Sequence, residues 1–126
     1  MTDLAALLDA ARQAIALAHA PRTGRPCGAA LMADDGRIFA AGNLEVANYG
    51  SSVCAAKAAL VSAWAGGARR FTALAVAGAG ADMPYPCGDC LQALIEFAPH
   101  LLIISDAEPR RPVPITDLLP DAFGLG

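Results

Sequence analysis

Three cysteines stand in two short runs, "SSVCAAKAALVSAWAGG" at 51–67 and "PYPCGDC" at 84–90. Cys87 and Cys90 are three positions apart at the start of a helix-forming stretch, so one helical turn can aim both at a single point. Cys54 opens the other stretch in the same way. At a helix N-terminus the free N–H groups and the dipole favour thiolate over thiol. Three thiolates gathered where two helices begin would suit Zn2+. A redox C-x-x-C has no use for a third converging cysteine. A structural zinc site would need a fourth protein ligand, with Cys27, His19 and His100 as candidates. Cys27 sits in the apolar run "CGAALMA" and reads as a small core residue. The two histidines, at a helix end and after Pro99, read as solvated. Three ligands with one open position is the catalytic pattern, and one zinc per chain is expected.

The elements that must position these cysteines follow from periodicity and breakers. Thr2 can cap a helix carrying Leu4, Leu7, Leu8, Ala11 and Ile15 at helical spacing, ending near Ala20 ahead of Pro21, Gly24 and Pro26. Apolar runs at 27–33 and 37–42 flank Asp34-Asp35-Gly36, a hairpin signal. The polar stretch 43–53 reads as a loop long enough to carry function. A helix from about Cys54 to Ala65 stops at Gly66-Gly67. "FTALAVAG" (71–78) is a strand of the kind buried on both faces. A loop with Pro84 and Pro86 enters a helix over Cys87 to Phe97, and "LLIISD" (101–106) is a further buried strand. A short edge strand around Val113–Ile115 and a helical turn at "TDLLP" follow. The alternation predicts an α/β fold with a mixed sheet of about five strands, helices on both faces, and one domain over residues 1–126.

Composition removes several classes of function. A net charge of −3 with scattered arginine pairs offers no basic face for nucleic acid. No apolar run approaches the ~18 residues of a membrane helix. Asp3, Asp9 and Arg12 punctuate the N-terminal stretch, which reads as a first helix and not as a signal peptide. Four cysteines without an export signal point to a reducing compartment, so a cytoplasmic location is expected.

With C-A-x-x-A at 54–58 and P-C-G-x-C at 86–90, the chain resembles the small zinc-dependent cytidine deaminases of the three-cysteine type. That family's N-x-E-N-A-S-Y-G…C-A-E-R-A-A lies over "NLEVANYGSSVCAAKAA", and its P-C-G-x-C-x-Q-x-L-x-E-F over "PCGDCLQALIEF". Its V-G-A-A-L…D-G-x-I falls on "CGAALMADDGRI" and its L-L-P-x-A-F-G on "LLPDAFG", so the likeness covers nearly the whole chain. The resemblance implies a three-layer α-β-α sandwich, a homotetramer, and hydrolytic conversion of cytidine or deoxycytidine to the uridine counterpart and ammonia. It implies Cys54, Cys87 and Cys90 as zinc ligands, and Asn43 and Glu45 as the holders of the ribose hydroxyls. It also implies that main chain near Ala55 and at Tyr85 reads the base, and that Phe123 is an aromatic offered by a neighbouring subunit.

The departures matter as much. Where the family has its catalytic glutamate, which moves a proton from water to the base and helps ammonia leave, this chain has Ala56. Losing a positioned acid and base costs ~10²–10⁴-fold in rate. Because the rest of the signature is intact, an engineered substrate-trapping substitution is favoured over a natural zinc- and nucleoside-binding pseudoenzyme. Takeover of the proton transfer by Asp89 is disfavoured by its shorter arm and different helix. Lys57 replaces the family arginine that tempers the negative metal centre. Arg22 and Arg25 replace a tyrosine and a pocket-wall phenylalanine, which points to a modified or additionally anionic cytosine nucleoside. A blasticidin-S-type aminonucleoside deaminase is the nearest enzymatic rival; Glu45 and the long 43–53 loop argue against it.

Overall fold

The computed structural model describes residues 3–78, 85–107 and 110–124. β1 (Cys27–Ala33) and β2 (Ile38–Gly42) form the expected antiparallel hairpin, with Gly36 at φ +92 in its turn. A left-handed residue there is what a tight hairpin needs, and glycine adopts it without strain. β3 (Phe71–Gly78) pairs antiparallel with the other side of β1, and β4 (Leu102–Ser105) runs parallel to β3. β5 (Val113–Pro114) closes the edge, so the five-stranded sheet has the order β2-β1-β3-β4-β5. It is mixed, as expected. The helices are α1 (Leu4–Ala14), α2 (Ala55–Ala65), α3 (Gly88–Phe97) and the single turn α4 (Ile115–Leu118). None of the described helices is long and apolar enough to cross a membrane.

The first helix departs from expectation at both ends. Asp3 caps it, its carboxylate accepting the Ala6 N–H at 3.0 Å, while Thr2 lies outside the described residues. The helix does not reach Ala20: one 3-10 turn carries Ile15–Leu17, and Ala18 is already extended. The reason is tertiary. His19 donates its N–H to Asn43 O and accepts the Glu45 N–H at its own carbonyl, both at 2.8 Å. The chain straightens to pair with the segment after β2 before the proline is reached.

Strand alternation sorts the sheet residues between two helical layers. Ala30, Met32, Ala73, Ala75 and Ala77 meet Leu7, Leu8 and Ala11 of α1 on one face. Leu31, Leu74 and Ile103 meet Ala59 and Leu60 of α2 and Leu94 of α3 on the other, giving the α-β-α sandwich. The α1 face is built from small residues because the helix lies almost on the strands. A Cβ at Gly28 would stand 2.1 Å from the Ala11 carbonyl oxygen, and one at Gly42 would stand 2.5 Å from Ala18 N.

Strand direction positions the site. β2 and β3 both run antiparallel to β1, so they are parallel to each other and end at the same edge. α2 follows β2, α3 follows β3, and both pack on one face. Both helices therefore begin at that edge, where α/β sheets open a crevice. Near their far ends Trp64 and Phe97 touch, with ring centroids 4.9 Å apart.

Candidate metal centre and cleft

Cys54 and Cys87 are the N-cap residues of α2 and α3, extended at ψ 152 and ψ 166, one position before the helices expected to include them. Each carbonyl opens its helix, Cys54 O accepting Ala58 N–H and Cys87 O accepting Leu91 N–H at 2.9 Å. Neither thiol caps its own helix, so both are turned outward toward each other. Cys90, in the first turn of α3 and fully buried, completes the group. The Sγ separations are 3.7 Å for Cys54–Cys87 and 3.6 Å for Cys87–Cys90, and all three sulfurs lie within 4.8 Å of one another. Two thiolates on a tetrahedral zinc, at a Zn–S bond of about 2.3 Å, sit about 3.8 Å apart, which the Cys54–Cys87 and Cys87–Cys90 separations match. Among the described residues, Cys27, His19 and His100 included, no fourth ligand joins this group.

The electrostatics also call for a cation. The hydrogen bond from Cys90 and then that from Cys87 bring Cys54 down to about 6, helped by the Lys57 charge and opposed by burial and by Asp89. Cys90 is pushed far upward, first by its hydrogen bond to Cys54, then by burial and the neighbouring sulfurs. Thiolates this close together oppose one another's charge. A divalent cation removes that conflict.

The sulfurs border a cleft of about 420 Å³ whose lining includes Asn43, Glu45, Ala55, Ala56 and Tyr85. Ala56, second residue of α2 and 4% exposed, presents only a methyl group to it. Asn43 is fixed by the start of β1: its Oδ1 accepts the Cys27 N–H at 2.8 Å and its Nδ2 donates to Arg25 O at 3.3 Å. Glu45 is no solvated loop charge; it is 6% exposed. Its Oε1 accepts the N–H groups of Arg22 and Thr23 at 2.8 and 3.0 Å, and its Oε2 accepts the Thr23 hydroxyl at 2.6 Å. The Thr23 hydroxyl bond, with the two backbone bonds and the Arg22 charge, holds the Glu45 carboxyl below its usual range against the effect of burial.

Other expected residues fall differently. Arg25 lines the cleft, but Arg22 does not: its guanidinium donates to Ala47 O at 3.1 Å and lies 5.3 Å from the centroid of the Tyr49 ring. Arg22 thus ties the 21–24 turn to the 43–53 loop, a role its place in the sequence does not reveal. Asp89 bonds Lys57 Nζ at 2.6 Å, is largely exposed and is absent from the cleft wall, so it is not placed to replace a proton carrier at position 56. Lys57 in turn faces Asp89 across the two helix starts. Phe123 is 73% exposed, with its carbonyl held by Gln92 Nε2 at 2.7 Å, and so is no core anchor. Pro84 lies outside the described residues. Thr23, Tyr49 and Cys27 line the cleft without having been singled out for it from the sequence. For Thr23 the only signal was its place beside Arg22 in a turn.

A family model described as the zinc-binding region of cytidine and deoxycytidylate deaminases matches residues 1–105. A cytidine deaminase from Mycobacterium tuberculosis is 40% identical over 115 residues, covering 91% of this chain and 85% of the relative. Another, from Halalkalibacterium halodurans, is 32% identical over 124 residues, covering 96% and 94%. Among crystal structures, the cytidine deaminase from Burkholderia pseudomallei superimposes with a TM-score of 0.88 at 42% identity, covering 98% of this chain and 100% of that one. The M. tuberculosis enzyme gives 0.89 at 39% identity, covering 99% and 100%.

Proposed function

The chain belongs to the cytidine and deoxycytidylate deaminase zinc-binding family, and from that premise we propose a cytosine-nucleoside deaminase scaffold halted at the bound state. The reaction it is built for is hydrolysis of cytidine or deoxycytidine to the uridine counterpart and ammonia. The observation that carries this reading is the set of three sulfurs at zinc spacing beside a cleft whose wall holds Ala56. Zinc held by Cys54, Cys87 and Cys90 would supply a Lewis acid that lowers the pKa of water. Glu45 accepts a sugar hydroxyl, and Asn43 offers the second hydrogen of its amide to the sugar. The backbone at Ala55 and the Tyr85 wall flank the base. The methyl group of Ala56 can neither take a proton from water nor deliver one to the ring. The chain as it stands therefore keeps its ligand and turns it over at a small fraction of the family rate. The assembly is a cytoplasmic homotetramer in which the exposed Phe123 ring of one copy covers the cleft of the next.

Elemental analysis and calorimetry test the reading together. One zinc per chain with binding of cytidine supports it. A zinc-loaded chain that binds blasticidin S and ignores cytidine overturns the substrate assignment, and a native mass of one chain overturns the tetramer.

A further inference from the structure

Resting on the reading of Glu45 as acceptor of a sugar hydroxyl, we propose that Thr23 is a positioning residue. Its hydroxyl and N–H fix the Glu45 carboxylate in the orientation by which the cleft distinguishes a nucleoside from a bare base. Glu45 is buried to a depth at which a carboxylate needs hydrogen-bond partners. Of its three bonds from donors among the described residues, two come from Thr23, one to each oxygen: N–H to Oε1 at 3.0 Å and Oγ1–H to Oε2 at 2.6 Å. A residue that grips both oxygens sets the rotation of the carboxylate plane, which the Arg22 N–H on Oε1 alone does not.

The hydroxyl itself has its direction set. Thr23 Oγ1 accepts the Arg25 N–H at 3.1 Å, which orients the oxygen and leaves its single proton for Glu45. The turn that delivers it is fixed by Gly24 at φ +68, by the Gly24 N–H on Ala20 O at 2.9 Å, and by the Arg22 side chain on Ala47 O. A carboxylate offers about four lone-pair positions. Among the described residues three are filled, all by the turn, so a ligand meets one acceptor position whose direction Thr23 decides. Thr23 and Glu45 both line the cleft, which places that acceptor where a sugar hydroxyl can reach it.

The test compares cytidine with 1-methylcytosine, which carries the base without the sugar, by titration of the zinc-loaded protein. Thr23→Val keeps the shape and removes the hydroxyl; it should weaken cytidine about tenfold and leave 1-methylcytosine unchanged. Thr23→Ser restores the donor and should return cytidine binding to within about twofold of the parent. Unchanged cytidine binding in a folded Thr23→Val variant overturns the proposal, as does equal weakening of both ligands or failure of serine to rescue. Should the valine variant not fold, Thr23→Ala against Thr23→Ser makes the same comparison. If the parent binds 1-methylcytosine but gains nothing from the sugar, the role given to Glu45 fails and that of Thr23 with it. That outcome is visible before any variant is made.

Discussion

Restoring a carboxylate at position 56 is the perturbation with the largest expected effect. Ala56 is the second residue of α2, buried, and shares the cleft wall with Cys54, Cys87 and Cys90. Ala56→Glu puts an acid in the first turn of a helix, where the dipole contributes ~0.3–1 kcal/mol in its favour, while burial opposes its charge unless it finds hydrogen-bond donors in the cleft. The three sulfurs should keep their zinc, because position 56 is not one of the metal-binding positions. The rate should rise by ~10²–10⁴-fold, equivalent to ~2.7–5.5 kcal/mol of barrier. The assay is the loss of cytidine absorbance, run with elemental zinc analysis on parent, Ala56→Glu and Ala56→Gln. Glutamine fills the same space and carries no titrating proton, so it should gain nothing. If all three chains hold one zinc and the glutamate form does not deaminate cytidine, the proton-transfer reasoning is refuted. Equal gain from glutamine would refute it too, because the effect would then be one of packing.

Three further results are expected. Cys90→Ser removes a fully buried ligand and should weaken zinc binding by more than about 100-fold in a chelator competition; chelation of the parent should lower its Tm, because metal binding is linked to folding. Gly28→Ala drives a Cβ to 2.1 Å from the Ala11 carbonyl oxygen, so α1 must lift from the sheet, and urea unfolding should show a loss of about 3 kcal/mol or more. The Arg12 guanidinium, 2.6 Å from Asp106, holds that carboxyl below its usual range. A depressed folded value contributes stability that is present above the unfolded value of about 3.9 and is lost as pH falls through the folded one. The parent should exceed Asp106→Asn by at most about 1 kcal/mol near neutrality, since the pair is partly solvated, and the gap should close in urea titrations as pH falls through the depressed folded value.

Much of the fold was legible because local chemistry and tertiary context agree. The strand 71–78 and the helix ends at Ala65 and Phe97 fall where apolar runs, glycines and prolines put them. The metal ligands were legible for a related reason: a cysteine at each helix start and a third one turn along is a spacing that helix geometry converts into convergence. Side-chain commitments were not legible. Arg22 and Arg25 look alike in the sequence, yet only Arg25 reaches the cleft, because Tyr49 and the Ala47 carbonyl draw Arg22 to the other loop. Asp89 and Lys57 are far apart along the chain and meet only because α2 and α3 begin at one edge.

The sequence alone determined which elements form, which three sulfurs face a metal, and that position 56 carries no acid. These depend on residue type and short-range spacing, which the backbone reads locally. Tertiary structure alone decided that the helical stretch stops before Ala18 to pair His19 with the 43–45 segment, and that Glu45 is buried under the Thr23 turn. It also sent Lys57 to Asp89. Each of those outcomes is a competition between partners distant in the chain, and the parallel run of β2 and β3 brings the competitors to the same edge of the sheet.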